Sequence, residues 1–120
     1  MWIYTQSTGK LSRSGVVVAT GYSGIGAGKN NPAMQNVPDV GPIPQGIYAI
    51  GAQFDSSTHG PHAMPLTPDP GNQMFGRAEF MVHGDSIEHP GQASHGCIIM
   101  PRPIRDQIAA SGDNQLTVVA

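Results

Sequence analysis

Short apolar runs separated by glycine- and proline-rich turns recur along the whole chain. Runs of four to eight residues that are rich in β-branched and aromatic side chains, with turn signals at both ends, are typical of strands. The segments that meet this description are Trp2 to Ser7, Val16 to Ala19, Gly46 to Gly51, Ala78 to His83, Gly96 to Met100 and Leu116 to Val119. The turn Thr8-Gly9-Lys10 between the first two segments predicts an N-terminal β-hairpin or meander.

Only one segment has the apolar spacing of a helix. Pro103 suits a first helical turn, Ile104 and Ile108 are four residues apart, and Gly112 supplies a C-terminal stop. Five or six short strands with one small helix predict a mainly β fold, a small sandwich or barrel. A chain of 120 residues can bury one modest core, so we expect residues 1–120 to form a single domain.

Two turn-rich stretches, Gly21 to Gly46 and Asp55 to Gly76, interrupt the predicted strands. Each is longer than a plain connection in a compact domain, and loops of that length usually frame a functional site. We therefore expect both stretches to be loops that border the site.

The composition argues against several classes of partner. With 12% charged residues and a formal net charge of −2, the chain has no electrostatic reason to bind nucleic acid or an anionic membrane. No apolar run approaches the roughly 20 residues of a membrane span. The first residues lack the basic and apolar regions of a secretory signal, so we expect synthesis in the cytoplasm and export by another route.

Cys97 is the only cysteine, so it is either an inert buried residue or a reactive one. It directly follows Ser94-His95-Gly96, and another histidine, His83, ends a predicted strand. A thiol becomes a strong nucleophile when a neighbouring base favours its thiolate. The pattern favours Cys97 as nucleophile, His83 as base and the amides of Gly96 and Cys97 as oxyanion donors, with Ser94 and His95 orienting the base or the substrate. The alternative is a buried thiol beside two core histidines.

Two other sequence patterns are similar to cofactor-binding motifs, one for a metal and one for a phosphate. His59 and His62 have the spacing His-x-x-His, but Gly60 and Pro61 disfavour a helix that presents both rings, and no second cysteine or ligand-spaced carboxylate follows. The segment Gly21 to Asn30 contains Gly-Lys but lacks the first glycine and the hydroxyl residue of a phosphate-binding loop. We therefore expect no metal and no cofactor, and interpret His59 and His62 as solvated loop residues.

The motif His83-Gly84-Asp85 followed by Ser94-His95-Gly96-Cys97-Ile98 resembles the catalytic motif of L,D-transpeptidase (YkuD-like) domains. Gly41-Pro42-Ile43-Pro44-Gln45-Gly46 is similar to the turn that precedes the active-site sheet of that family. Two N-terminal elements are similar to the stand-alone branch of type VI secretion L,D-transpeptidase effectors: Trp2-Ile3-Tyr4 with Gln6-Ser7-Thr8-Gly9, and Gly21-Tyr22-Ser23-Gly24. The resemblance covers nearly the whole chain.

This resemblance implies a β-rich fold that acts on the tetrapeptide stems of peptidoglycan. Cys97 would attack the bond after the L-centre of the diamino acid at position three, expel D-alanine and form a thioester. His83 would be the base, with Ser94, His95 and Gly96 as supporting residues. Water would then complete an L,D-carboxypeptidase reaction, and a D-amino acid acceptor would complete an exchange.

The chain departs from the family's pattern close to the cysteine. Many transpeptidases carry Arg or Asn two residues after the nucleophile, where this chain has Ile99, so we expect Arg102 or Arg105 to hold a substrate carboxylate instead. A chain of this size has little room for a second stem peptide, which favours hydrolysis and exchange over cross-linking. Further candidates for substrate contact, from their place beside the site-forming segments, are Tyr22, Arg77 and Asp85.

The resemblance also implies a place of action and a set of partners. The enzyme would act in the periplasm, after secretion into a target bacterium, and its producer would need a cognate immunity protein. Two alternatives stay open at this point. One is a zinc-dependent cell-wall amidase or peptidase that uses the histidines, and the other is a non-catalytic peptidoglycan-binding module.

Overall fold

Ten β-strands and one α-helix form the structure, a computed structural model that describes all residues from 1 to 120. The strands are β1 (Trp2–Thr5), β2 (Lys10–Arg13), β3 (Val16–Thr20), β4 (Tyr22–Ser23), β5 (Gly46–Ile50), β6 (Phe54–Ser56), β7 (Gly60–Pro68), β8 (Phe80–His83), β9 (Ile98–Ile99) and β10 (Gln115–Val119). The helix is α1 (Arg102–Ala110), and two short 3-10 turns, Gly26–Gly28 and Pro32–Met34, lie between β4 and β5.

The strands form one strongly curled sheet in the order β3-β2-β1-β10-β5-β7-β8-β9-β4, with β6 paired only to β7. The first and last strands of this order, β3 and β4, are consecutive in the chain and separated by Gly21 alone. A one-residue connection cannot span a flat sheet of nine strands, so the two edges must meet. At the junction the Gly21 amide donates to the Gly9 carbonyl at 2.8 Å. The result is a nearly closed, barrel-like, mainly β fold with one short helix, which confirms the predicted fold class.

Alternate residues of the central strands fill the interior of the curled sheet. In β1 the side chains of Trp2 and Tyr4 are fully buried, and in β10 those of Leu116 and Val118 are almost so. Burial of apolar side chains of this size stabilises the fold by about 1.5–3 kcal/mol each. The same core of fifteen buried residues extends to Ile98 in β9, so the strands that carry the candidate site are anchored in it.

The predicted helix and the N-terminal meander are both present. Helix α1 begins at Arg102 with Pro103 in its first turn, and Ile108 packs into the core. The predicted stop, Gly112, has a φ of 71° two residues beyond the end of the helix. Strands β1, β2 and β3 pair as an antiparallel meander. No helix of this structure has both the length and the hydropathy needed to cross a bilayer.

The prediction of a loop from Asp55 to Gly76 is wrong over its first half. Strand β7, the longest of the sheet, lies there and pairs with β5, β6 and β8. The sequence pattern did not predict this strand because it contains Pro61, Pro65 and Pro68, and proline normally marks a turn or a strand edge. The other stretch, Gly21 to Gly46, is mostly loop as predicted, apart from β4 and the two 3-10 turns.

Candidate active site

Strands β8 and β9 bring His83 and Cys97 to one cavity. The two strands are parallel, with His83 opposite Ile99. Cys97 precedes Ile99 by two residues, so it faces the same side of the sheet as His83, since side chains alternate along extended chain. Both side chains line a cavity of about 400 Å³.

Cys97 is 9% exposed, and the burial of its thiol favours the neutral form. Burial raises its pKa, while a backbone hydrogen bond from Met81 and the positive charge of Arg77 act in the opposite direction. Its Sγ–H donates to the Glu79 carbonyl at 3.9 Å, a long contact even for sulfur. The thiol is therefore held weakly and can be deprotonated where a base comes within reach.

The His83 imidazole is fixed in one tautomer. Its Nδ1 lies 2.8 Å from the Gly84 carbonyl, which only accepts, so Nδ1 carries the proton and Nε2 is left as an acceptor. Burial lowers the pKa of His83, which outweighs the opposite effect of the bond to Gly84, and nearby His59 and Arg105 lower it further. A neutral imidazole with a free Nε2 is the form that a general base requires. No direct hydrogen bond joins this ring to the Cys97 sulfur, an arrangement common in catalytic pairs without substrate.

Ser94 ties together residues 94–97, the segment that carries the cysteine and that we call the nucleophile turn. Its side chain is fully buried. Its Oγ donates to the Cys97 carbonyl at 2.6 Å and accepts from the amides of Gly24 and Gly96 at 2.8 and 3.1 Å. The Gly96 amide, predicted as an oxyanion donor, is thus already hydrogen-bonded, which leaves the Cys97 amide as the candidate for that task.

Gly96 occupies a position that no other residue fits. Its φ is 134°, and a Cβ added there would lie 2.6 Å from Nη2 of Arg77 and 2.8 Å from the ring of Phe80. Ser23 fixes the same residue from β4: its Oγ donates to the Gly96 carbonyl at 2.9 Å and accepts from the Ile43 amide at 2.9 Å. The nucleophile turn is therefore clamped on both sides.

Arg77, expected to contact substrate, lies inside the protein and is only 8% exposed. Its guanidinium donates to the carbonyls of Gln35, Gly41, Pro42 and His95 at 2.6 to 3.3 Å. These bonds join the nucleophile turn to the loop that precedes β5. In this arrangement Arg77 supports the site and places a positive charge near the thiol.

The structure separates the two arginines that were expected to hold a carboxylate. Arg105 is 5% exposed, and its guanidinium donates to the carbonyls of Met100, Pro61 and His62. Arg102 is exposed in the first turn of α1. Both line a larger cleft of about 1010 Å³ that also contains His83. Nη2 of Arg105 also lacks a carbonyl partner, but Arg105 is buried, so Arg102 is the arginine whose guanidinium is exposed to the cleft.

Tyr22 and Asp85 hold the loop between β8 and the nucleophile turn. Tyr22 Oη donates to Asp85 Oδ1 at 2.5 Å and accepts from the Ala93 amide at 3.0 Å. Burial and the bond to Asp85 raise the pKa of Tyr22 to about 12, so its hydroxyl stays a donor. Burial raises the pKa of Asp85, but the bonds from Tyr22 and from the Gly91 and Ser86 amides outweigh it and keep the carboxyl ionised. Both residues also line the larger cleft.

His95 and His59 lie at the boundary between the two cavities, since each lines both. His95 is exposed, and its Nδ1 donates to the Asp39 carbonyl at 3.1 Å. His59 is half-buried in the turn between β6 and β7, with its ring centroid 4.7 Å from that of His83. His59 therefore lies in a loop as predicted, but it is only partly solvated, because the unpredicted hairpin of β6 and β7 brings its ring next to His83. For His62 the interpretation as a loop residue is wrong, because His62 lies within strand β7.

Two residues that contribute to the site, Ser23 and His59, were not predicted to do so. Ser23 belongs to the Gly21-Tyr22-Ser23-Gly24 segment that resembles the effector branch, and this was the only signal for it. His59 had no local signal, because its position depends on the pairing of β6 with β7. No three His, Cys, Asp or Glu side chains lie close enough together to share a metal ion.

Comparison with known proteins gives one family. No curated protein matches the chain. The family model described as the Tlde1 domain, type VI secretion L,D-transpeptidase effector 1, matches residues 17–119, which confirms the resemblance drawn from the motifs. The chain therefore belongs to the Tlde1 domain family, whose membership implies a type VI secretion effector with peptidoglycan-modifying, L,D-transpeptidase-like activity.

Proposed function

We propose that this protein is a cysteine-dependent L,D-carboxypeptidase that also exchanges the terminal D-amino acid of peptidoglycan tetrapeptide stems. The observation that carries the proposal is the shared cavity of Cys97 and His83, with Nε2 of His83 as the free acceptor. Family membership supports the substrate class.

In the acylation step the Cys97 Sγ–H gives its proton to Nε2 of His83, and sulfur attacks the carbonyl carbon of the third residue. The Cys97 amide donates to the oxyanion that forms. His83 then passes the proton to the departing amine, the C–N bond breaks, and D-alanine leaves a thioester on Cys97. His83 is neutral again at the end of the step.

The thioester is resolved by the reverse sequence of proton transfers. Water attacks with His83 as base, and the products are the free thiol and a tripeptide stem. A D-amino acid attacks in the same way and yields an exchanged tetrapeptide. A free D-amino acid has the same amine and carboxylate arrangement as the D-alanine that left, which supports exchange over cross-linking by a second stem.

The resting site holds a neutral thiol beside a neutral imidazole. Burial disfavours both charged forms, because it raises the pKa of Cys97 and lowers that of His83. Proton transfer therefore accompanies substrate binding rather than preceding it. The rate is expected to follow the pair as a coupled unit.

The remaining candidates have distinct roles in this proposal. Arg102 binds a substrate carboxylate from the cleft, whereas Arg77, Ser94 and Gly96 position the nucleophile turn. Tyr22 and Asp85 shape the cleft wall. The enzyme needs no cofactor, acts in the periplasm of a target bacterium, and is neutralised in its producer by an immunity protein.

Digestion of purified tetrapeptide muropeptides tests the proposal. The wild-type protein should release D-alanine and, with added D-amino acid, form the exchanged product, while Cys97→Ala should do neither. An acyl adduct on Cys97 should appear by intact-mass measurement after mixing with substrate. Lys10→Gln, a change of an exposed side chain on β2 that lines neither cavity, is the control and should retain full activity.

Other outcomes point to the alternatives. Release of D-alanine by the Cys97→Ala variant would end the cysteine mechanism. Loss of activity with a chelator, together with activity in Cys97→Ser, would indicate a zinc enzyme. Binding to sacculi with no change in the muropeptide profile would indicate a binding module.

A further inference from the structure

A chain of three side chains links α1 to β7 at the larger cleft. Nδ1 of His62 lies 2.7 Å from Oδ1 of Asp106, and Nε2 of His62 lies 2.8 Å from Nη2 of Arg102. Gln53 Nε2 donates to the same Asp106 oxygen at 3.0 Å. None of these residues belongs to the nucleophile turn or to its supports.

The chemistry of the two outer groups determines the state of the imidazole between them. An ionised carboxylate only accepts hydrogen bonds, so Nδ1 of His62 must carry a proton. A guanidinium only donates, so Nε2 must offer its lone pair to Arg102. The neutral Nδ1–H tautomer is the form that satisfies both contacts. Hydrogen bonds from His62 and Gln53 lower the pKa of Asp106, which keeps it ionised.

The backbone at His62 is held in an unusual conformation that directs its ring towards α1. Its φ is 56°, in the left-handed region that few residues other than Gly adopt, although Asn, Asp and His tolerate it better than most. Neighbouring groups bind the main chain there: the His62 carbonyl accepts from Arg105 at 3.2 Å, and its amide donates to Asp55 at 3.3 Å. Strain of this kind is tolerated where the surroundings over-determine it, and it concentrates at functional sites.

The position of Arg102 is unfavourable for the helix itself. Cations destabilise the first turn of a helix because the amide dipoles make that end positive, and α1 has no acidic residue in its first turn. The same arrangement favours an anion in front of the arginine. The cleft that Arg102 lines also contains His83 but not Cys97. A leaving amine protonated by His83 would therefore extend into the part of the site that Arg102 faces.

We propose that Asp106 and His62 hold the Arg102 guanidinium so that it binds the terminal carboxylate of the leaving D-amino acid. His62 and Asp106 are positioning residues, and Arg102 is the group that touches substrate. This inference rests on the proposed function and specifies how the proposed carboxypeptidase recognises the C-terminal end of the stem peptide.

Kinetics on two matched peptides test the inference. One is the tetrapeptide stem with a free terminal carboxylate, and the other is the same peptide with a terminal amide. A charge-assisted contact of this kind predicts a KM about tenfold or more higher for the amide in the wild-type protein. His62→Asn, in which Asn tolerates the left-handed backbone, should raise KM for the carboxylate peptide towards the amide value and leave kcat and the amide kinetics unchanged.

Further variants separate positioning from general structural damage. Arg102→Gln should remove the preference for the carboxylate, and Arg102→Gln combined with His62→Asn should be no worse than Arg102→Gln alone. Asp106→Asn, an exposed isosteric change, should give a smaller rise in KM and provides the test if His62→Asn does not fold. Lys10→Gln, at an exposed position that lines neither cavity, should change nothing. Equal losses on both peptides, or no change in KM from His62→Asn and Asp106→Asn, would overturn the inference.

Binding in the Cys97→Ala background makes the two proposals independently testable. Calorimetric titration with the same peptides should show tighter binding of the carboxylate form, and His62→Asn should remove that difference. If the wild-type protein releases no D-alanine but this preference is present, the proposed reaction fails while the carboxylate site stands. If D-alanine is released without any preference, only the carboxylate site fails.

Discussion

The nucleophile turn and the cleft wall opposite it are built in different ways. In the turn, Ser94 is fully buried, Gly96 is packed against Arg77, and every contact is to main chain or to a buried side chain. The wall formed by residues 84–93, the cleft loop, is mostly exposed and depends on a few polar contacts to Asp85. The comparison teaches that the turn carrying Cys97 is held by buried hydrogen bonds and packing, whereas the cleft loop is held by hydrogen bonds in contact with solvent. Changes in the turn should therefore cost far more than matched changes in the loop.

The largest effect is expected from Gly96→Ala. The added Cβ would lie 2.6 Å from Nη2 of Arg77, at a φ of 134° that only glycine adopts readily. We expect a loss of about 3 kcal/mol in the free energy of unfolding and no measurable D-alanine release. Gly91→Ala in the cleft loop is the matched control: its φ is also positive, 82°, so it shares the backbone strain, but its Cβ would meet only the flexible end of Lys29 at 3.0 Å. If urea unfolding gave equal losses in the free energy of unfolding for the two variants, the contrast between the nucleophile turn and the cleft loop would be contradicted.

Ser94→Ala should rank second. The substitution removes three hydrogen bonds and leaves the amides of Gly24 and Gly96 without a partner in a buried place. We expect a loss of about 2–3 kcal/mol in the free energy of unfolding and a large fall in kcat. Ser86→Ala in the cleft loop removes a single bond, to the His89 amide, and should cost less than about 1 kcal/mol. Thermal unfolding and steady-state kinetics of both variants measure the difference.

Tyr22→Phe should have a moderate effect that is confined to substrate binding. It removes the donor to Asp85 and the acceptor for Ala93, while the ring beneath Lys29 stays in place. A looser cleft loop should raise KM by about two- to tenfold with kcat nearly unchanged. In this variant hydrogen exchange should become faster in residues 84–93 and stay unchanged in the nucleophile turn. A fall in kcat with constant KM would show that the loop takes part in the chemical step.

The smallest effect concerns the pH dependence of stability. Burial lowers the folded-state pKa of His83, so the unfolded chain binds its proton more readily and stability falls as pH drops below the ordinary imidazole range. Burial raises the pKa of Cys97, so its contribution is complete below the ordinary thiol range and is lost as pH rises through the folded value. Unfolding free energy measured against pH should flatten on the acid side in His83→Gln and on the alkaline side in Cys97→Ala. Unchanged curves in both variants would contradict this account.

The local sequence pattern was sufficient to predict much of the secondary structure and the family. Short apolar runs between turns predicted β1, β3, β5, β8 and β10, and the spacing of Ile104 and Ile108 predicted α1. The lone Cys97 behind Ser-His-Gly and the histidine at the end of a strand identified the family, because a nucleophile and its base must be particular residue types. These signals are short-range, so they can be read without knowing what lies across the sheet.

The sequence by itself determined strands β1, β3, β5, β8 and β10, helix α1, and the identities of the candidate nucleophile and base. Only the tertiary structure decided which side chains meet: it revealed β7 despite three prolines, carried His59 to His83, and buried Arg105 while leaving Arg102 exposed. It also showed that the Gly96 amide donates a hydrogen bond to Oγ of Ser94. These outcomes depend on strand pairing between residues far apart in the chain, and such pairing is stabilised by contacts that no local propensity or spacing encodes.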